Sequence, residues 1–162
     1  MEMKKCIQDI YKVLSTDENL LRLLYYSNPV NALDSPLDPT KSNILNMEDK
    51  WDIIFDLIQT SPKVSDLDSV NKCRLLIYPG RRSSTGSYLI GSQEFVFDIL
   101  VNMEADLIDQ RLSWVCDTVN ELLFNERIAG FGKMMFKSGG NINCPSEYVA
   151  YRLIYEFGDF QK

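Results

Sequence analysis

Three alternating segments and one short strand, arranged as two pairs around an amphipathic helix, constrain the fold of this chain more than any other feature. Residues 72–78, 88–101 and 147–157 alternate apolar and polar side chains. A period of two is typical of β-strands that bury one face. Residues 133–137 add a shorter strand before the last one. The order therefore predicts β-β-α-β-β, with two hairpins in an antiparallel sheet.

The helix between the hairpins is predicted over residues 105–124, where apolar side chains recur at spacings of three and four residues. These side chains are Ile108, Leu112, Val115, Val119 and Leu122. Such a stripe needs a sheet or another helix to cover it. Residues 79–87 are predicted to be a flexible tip between the first two strands, and residues 138–141 a turn before the last strand.

The first 26 residues are predicted to be helical, because apolar residues recur at helical spacing from residue 2 to residue 26. The segment 15–18 indicates a break and a restart. Ser15 is the predicted N-cap of the second helix, and Glu18 is its capping-box partner.

A long loop and a third helix follow. Residues 27–46 contain three prolines and are predicted to be a loop, and a loop of this length is uncommon unless it is functional or wraps a neighbour. Residues 46–59 are predicted to be helical, with one apolar face. That face consists of Trp51, Ile54, Phe55 and Ile58. The whole pattern predicts one α+β domain over 1–162, with a helical part at 1–71 and helices packed against a sheet at 72–162.

The chain contains no histidine, which bears directly on chemistry. Histidine is the commonest general base and metal ligand, and its absence excludes Ser–His and Cys–His nucleophile pairs within the chain. The cysteines have no CxxC spacing that would indicate a zinc or redox motif. They are Cys6, Cys73, Cys116 and Cys144. We therefore expect a protein that is not an enzyme and that uses neither a cofactor nor a metal.

The charge and hydropathy narrow the class of partner. A net charge of −6 argues against a free nucleic-acid binder, since such binding depends on Lys and Arg neutralising phosphates. It is compatible with a surface past which DNA moves without sticking. No apolar stretch approaches the roughly 20 residues that span a bilayer, and no signal-peptide pattern opens the chain. We expect no membrane partner, and a reducing compartment in which the cysteines are small buried apolar side chains.

The predicted tip at 79–87 is a candidate partner-binding site because it is basic. It carries Arg81 and Arg82, with Arg74 close by in the preceding strand. Mobile tips often carry function, and a basic tip would meet DNA or an acidic partner. The alternative is a solvated hairpin turn without a partner.

The last strand offers a second candidate surface. Alternation places Tyr148, Arg152 and Ile154 opposite the face that points to the core. A sheet with apolar residues on both faces predicts either a subunit interface or further helices on the second side.

Four carboxylates are the candidates for catalysis. They are Asp98, Glu104, Asp106 and Asp109. Paired carboxylates can act as general acid and base, although acidic residues at a helix start are equally explained by the helix dipole. A small carboxylate-dependent enzyme and a nucleic-acid-binding module remain alternatives to an assembly protein.

Four segments of the C-terminal half carry a resemblance to a known family. They are RLLIYPGRR (74–82), YLIGSQEFVFDILVN (88–102), RLSWVCDTVNELLFNERIAGFGKMMF (111–136) and EYVAYRLIYEFGD (147–159). They resemble the tail-completion proteins of tailed bacteriophages, the tail-terminator-like family of neck proteins. The resemblance covers about half of the chain and transfers no catalytic motif.

The resemblance implies a structural role in the neck or tail of the virion after assembly in the host cytoplasm. Such proteins form a homo-oligomer, typically a hexameric ring, that caps the tail tube protein and faces the head connector. DNA would pass through the lumen of the ring without specific binding. A head-side connector or adaptor ring protein is the alternative within the same class.

Overall fold

The computed structural model describes residues 3–67, 72–86, 90–128 and 132–160. The predictions for residue 2 and for residues 87–89 lie outside these ranges. The helices are α1 (Met3–Ser15), α2 (Glu18–Tyr25), α3 (Lys50–Leu57), α4 (Met103–Asp109) and α5 (Arg111–Leu123), with a 3₁₀ turn at Ile44–Asn46. The strands are β1 (Ile58–Gln59), β2 (Arg74–Ser84), β3 (Ile90–Asn102), β4 (Met135–Asn141) and β5 (Tyr148–Phe160).

The five strands form one mixed sheet in the order β1-β2-β3-β5-β4. The pairs β2–β3, β3–β5 and β4–β5 are antiparallel, whereas the short β1 runs parallel to β2. The predicted α+β class and the two antiparallel pairs are confirmed. Strand β1 was missed because it has only two residues and directly continues α3, where the apolar spacing still fits a helix.

The predicted alternation is confirmed by burial. One face of β2, β3 and β5 is buried beneath the helices and forms the main hydrophobic core. The residues of these three strands in the core are Leu75, Ile77, Phe95, Phe97, Ile99, Val101, Leu153, Tyr155 and Phe157, and Cys73 joins them from just before β2. The helices contribute chiefly leucine, isoleucine and valine side chains, from α1, α2, α3 and α5. In the described ranges, no helix combines the length and the apolar content that crossing a membrane requires.

Two predicted turns are strands in the structure. Residues 79–84 continue β2, with a register shift between Pro79 and Arg82, and residues 138–141 belong to β4. The glycine in β4 serves close packing: a Cβ on Gly139 would lie 2.9 Å from Cε1 of Tyr151. Because glycines and prolines also occur at strand irregularities, they were misleading as turn signals here.

The predicted helix at 105–124 is two helices. Gln110 separates them with a φ of +54°, a left-handed conformation that ends α4. The N-terminus of α5 is then satisfied by the Asp106 carboxylate, whose Oδ1 accepts from the Leu112 amide at 3.0 Å. The predicted apolar stripe is therefore interrupted between Ile108 and Leu112. Within α5 it is confirmed, because Val115 and Val119 are buried and Leu112 and Leu122 pack against the core.

Two other helix starts differ from the prediction. Asp17 rather than Ser15 caps α2, and its Oδ2 accepts from the Leu20 amide at 2.9 Å. Ser15 instead ends α1 and is buried. Helix α3 begins at Lys50, because residues 44–46 form the separate 3₁₀ turn.

Candidate functional site

Arg74 does not belong to a basic surface, which corrects its interpretation as a partner-binding residue. Its side chain is fully buried. The guanidinium donates to Asp66 through Nη1 at 2.7 Å and Nη2 at 2.9 Å, and to Oδ1 of Asp56 at 3.0 Å. It also donates to the main-chain carbonyls of Asp56 and Lys63. Arg74 thus connects β2, α3 and the segment after β1, and the ion pair lowers the pKa of the Asp66 carboxyl.

Tyr148 is also buried, at 5% exposure, and lies in a second apolar cluster on the face of the sheet away from the helices. Its hydroxyl accepts from the Lys72 amide at 3.3 Å. The side chains in and against this cluster come from the sheet and from two loops. They are Leu67, Leu76, Leu100, Ala150, Val64, Tyr78, Ile142 and Cys144. The chain's own loops therefore cover this end of the second face, where a subunit interface or additional helices had been predicted.

Arg152 lies further along the second face in a polar network. Its Nε donates to Oδ1 of Asp98 at 2.7 Å, and its Nη2 donates to the Tyr78 hydroxyl at 2.9 Å. Tyr78 in turn donates a short hydrogen bond to Asp98. Burial and this carboxylate raise the pKa of Tyr78 to about 12. These contacts occupy both carboxylate oxygens, which is the arrangement of a structural ion pair between β3 and β5.

Beyond this network the second face is charged. Lys137 on β4 forms ion pairs with Glu94 and, at 3.4 Å, with Glu156. Its hydrogen bond lowers the pKa of the Glu94 carboxyl. Ile154 is half-buried beside this band. Outside the part that the loops cover, the paired Val96 and Ile154 form a small apolar spot among charged neighbours.

Arg81 and Arg82 are exposed, as expected, but they lie on the distal part of β2 and not on a flexible tip. Nε of Arg82 donates to Oε1 of Gln93 on β3 at 3.1 Å. The main-chain amide of Arg81 donates to Glu94 at 3.3 Å. Of the residues singled out from the sequence, these two arginines and the half-buried Arg152 are the basic groups still accessible to a partner.

An apolar groove between α1 and α3 was missed by the sequence reasoning. It has a volume of about 970 Å³ and runs past the edge strand β1. Trp51 and Phe55 form one wall and are 51% and 59% exposed. Tyr11 and Ile7 form the other wall, and the Tyr11 hydroxyl donates to the carbonyl of Ile58 at 3.1 Å. The predicted apolar face of residues 46–59 contained the signal, because half of that face points away from the core.

The loop from residue 27 to residue 43 holds two aliphatic side chains in solvent. Val30 is 83% exposed and Leu33 is 94% exposed. Asp34 fixes this segment: one carboxylate oxygen accepts from the Val30 amide at 2.9 Å, and the other forms a 2.6 Å ion pair with Lys41. Both contacts lower the pKa of the Asp34 carboxyl. The apolar pair is therefore displayed by a hydrogen-bonded loop.

The base of this loop is anchored to the helices. The buried Arg22 of α2 donates to the carbonyl of Asp38 at 3.0 Å. The Tyr26 hydroxyl donates to the carbonyl of Ser42 at 2.6 Å. The side-chain amide of Asn102, which also caps α4, donates to the carbonyl of Ser27 at 2.8 Å. The loop predicted to wrap a neighbour thus has a defined conformation within one subunit.

An Asp34→Ala variant is expected to loosen this loop without unfolding the protein. The amides of Val30 and Leu33 should exchange with solvent at least about tenfold faster in hydrogen–deuterium exchange, because the loop loses its central acceptor. The midpoint of urea unfolding should stay close to that of the unmodified protein, since the loop contributes little to the core. Unchanged exchange at both amides would show that Asp34 does not organise the loop.

Acid should loosen the same loop in the unmodified protein. Because the folded pKa of Asp34 is lowered, its contribution is complete above the ordinary carboxyl value of 3.8 and disappears as the pH falls through the folded pKa. Exchange corrected for its intrinsic pH dependence should therefore rise only below about pH 4.

The opposite edge of the sheet is also partly apolar. Strand β4 is the last strand of the sheet, and its Met135 and Phe136 are 46% and 47% exposed. A groove of about 680 Å³ lies between this strand and α5, with Asp117 and the half-exposed Phe124 among its lining residues. Exposed apolar edges of this kind are common at subunit contacts.

Comparison with known proteins finds one family model and one prophage-derived relative that match most of the chain. A family model described as YomW matches residues 17–157. The SPbeta prophage-derived uncharacterized protein YomW of Bacillus subtilis (strain 168) is 29% identical over 161 residues, and the match covers 92% of each chain. The matched region includes β1 to β4 and most of β5, together with α2 to α5 and the 27–43 loop.

Proposed function

Because the chain belongs to the YomW family and is a phage-associated protein, we propose that it is a tail-terminator or tail-completion protein of the virion neck. In this proposal it assembles into a ring, hexameric as in the proteins it resembles, at the top of the tail tube. The ring joins the tube to the head connector and lets DNA pass through its lumen. It acts by surface complementarity and carries out no catalysis.

The observation that carries this proposal is the ordered loop that presents Val30 and Leu33 almost fully to solvent. Removing a side chain as apolar as leucine from water lowers the free energy, by on the order of 1.5–3 kcal/mol for full burial. The loop does not let these side chains fold back, because Asp34 and Arg22 hold its backbone in place. Two aliphatic side chains held in solvent on an ordered loop support a partner-binding role, since such loops often carry function.

The contacts of the four candidate carboxylates favour a structural role over a catalytic one. Asp98 is held by Arg152 and Tyr78, and Asp109 by Arg111. Asp106 caps α5. Glu104 lies in the first turn of α4, where the helix dipole favours a negative charge. The carboxylate enzyme therefore stays a second choice.

Deletion of the gene from a phage or inducible prophage that carries it would test the proposed role. We expect lysates that contain DNA-filled heads and separate tails with tubes of uncontrolled length, as seen by negative-stain electron microscopy. Supplying the unmodified protein in trans should restore joined virions. Lysates with normal virions in normal numbers would contradict any essential neck role.

The same images separate the two neck positions. A tail terminator stops tube growth, so its absence lengthens the tubes. A head-side connector or adaptor ring leaves tubes of normal length beside heads that fail to join them. The enzyme alternative is tested by an Asp98→Asn variant. It would be favoured if this variant folds and still joins rings and tubes in vitro but fails to restore virions.

A further inference from the structure

We propose that the groove between α1 and α3 of one copy receives the 27–34 loop of a second copy, so that the subunits join head to tail. The inference rests on the proposed ring and adds what that proposal leaves open, namely which two surfaces meet. The groove is the surface lined by α1, α3 and β1, and the inserting loop is residues 27–34, the first part of the 27–43 loop.

The groove is shaped for an apolar insert. Its floor and walls are mainly side chains of Ile7, Tyr11, Phe55 and Ile58, with Trp51 at one side. The rings of Tyr11 and Phe55 stack with centroids 6.2 Å apart, and those of Trp51 and Phe55 lie 6.1 Å apart. Aromatic side chains held in this way are typical anchors of protein–protein interfaces.

The loop has the matching chemistry. Val30 and Leu33 are the two most exposed large apolar side chains among the described residues. They lie three positions apart on a backbone fixed by Asn31 and Asp34, whose side chains accept from the amides of Leu33 and Val30. Because the loop is already ordered, its insertion costs little conformational entropy.

The charges around the two surfaces are opposite. The charged side chains that line the groove in the described part of the chain are Lys4 and Lys12, and Lys50 lies over the Trp51 ring. The loop and the turn after it carry Asp34, which is already paired with Lys41, and Asp38, whose carboxylate accepts from Thr40 and brings the negative charge of this turn. In a chain with a net charge of −6, a basic groove is the place where a second copy would meet the least repulsion.

Helix α4 enlarges the acidic side. Asn102 is the N-cap of this helix, and its side-chain amide also donates to the carbonyl of Ser27. The loop and the helix therefore begin side by side. Of the three carboxylates in the helix sequence MEADLID, Glu104 is exposed, Asp106 accepts from the Leu112 amide and Asp109 is paired with Arg111. Leu107 of the same helix is 79% exposed. The loop and α4 together form an acidic end that displays aliphatic side chains.

The two surfaces are different, which determines the type of assembly. A contact between unlike surfaces is heterologous: each copy uses its groove toward one neighbour and its loop toward the other. Such contacts close into a ring when the rotation permits and otherwise grow into a filament. This is the contact that a ring-forming neck protein requires.

A mixing experiment with two variants tests the pairing. Leu33→Asp disables the loop and Phe55→Asp disables the groove, and both positions are exposed enough for the fold to be retained, as circular dichroism should verify. The unmodified protein should give oligomers in mass photometry, alone or with tail tube protein. Each variant by itself should be monomeric, with self-association weakened on the order of tenfold or more.

An equimolar mixture of the two variants should form a dimer and nothing larger, because only one intact loop–groove pair remains per pair of copies. Oligomers of unmodified size from either variant alone, or a mixture of folded variants that stays monomeric, would overturn the pairing.

Phe124→Asp, at the opposite sheet edge, is the matched control and should assemble like the unmodified protein. If this control alone abolishes assembly, the contact lies at β4 and α5; the ring proposal then survives and the loop–groove pairing does not. An unmodified protein that stays monomeric alone and with tube protein would instead overturn the ring proposal itself.

Discussion

An Arg111→Met variant is expected to lose about 3–5 kcal/mol of unfolding free energy, the usual cost of removing one partner from a buried ion pair. The Arg111 side chain is fully buried and pairs with Asp109, which is 13% exposed, at 2.7 Å. It also donates to the carbonyls of Leu23 and Tyr26 at 2.7 and 2.5 Å. Methionine fills a similar volume but leaves a carboxylate and two carbonyls without their donor.

Urea unfolding followed by far-UV circular dichroism measures this loss. Arg111→Lys is the matched control: it keeps the positive charge but not the planar fork of donors, and it should lie between the two proteins in stability. Because Arg111 holds the end of α2, where the 27–43 loop begins, the Met variant should also show faster amide exchange in that loop. A loss below about 1 kcal/mol would mean that water replaces the guanidinium at little cost.

An Arg74→Met variant is expected to lose about 2–3 kcal/mol at neutral pH, less than a fully buried pair costs, because the partners are partly hydrated. The carboxylates of Asp56 and Asp66 are 40% and 36% exposed, whereas Arg74 is fully buried. Without the guanidinium, the segment after β1 loses its hydrogen bonds to β2. Arg81→Met, which changes an exposed arginine in the same strand, should cost no more than about 0.5 kcal/mol.

The difference between the Arg74→Met variant and the unmodified protein should depend on pH. The pKa of Asp66 is lowered in the folded protein because Arg74 donates to its carboxylate. A lowered pKa gives stability that is complete above the unfolded value of 3.8 and is lost as the pH falls through the folded pKa. The stability difference measured at pH 7 should thus persist at pH 5 and shrink at pH 3. A difference independent of pH would assign the effect of Arg74 to its carbonyl contacts.

Part of the proposed assembly surface could be anticipated from the sequence. The prolines between residues 27 and 46 predicted a loop with a possible function, and the apolar face that included Trp51 and Phe55 predicted a helix. Neither pattern could indicate that half of that helix face is exposed, because exposure depends on which element packs against the other side. Similarly, alternation placed Arg74 and Tyr148 on the second face but could not show that the chain's own loops cover them.

The sequence by itself determined the α+β class, the two antiparallel strand pairs and the faces of β2, β3 and β5 that enter the core. It could do so because a period of two and a period near 3.6 are local properties of the backbone, and burial rewards them wherever the strands come to lie. The absence of histidine was equally readable without a structure. Tertiary structure alone decided the break at Gln110, the parallel strand β1 and the burial of Arg74 and Arg111. It also decided the exposure of Leu33 and, elsewhere on the subunit, the open groove between α1 and α3. These features depend on contacts between residues distant in the sequence, where the energy of a buried ion pair or a fixed loop outweighs local preference.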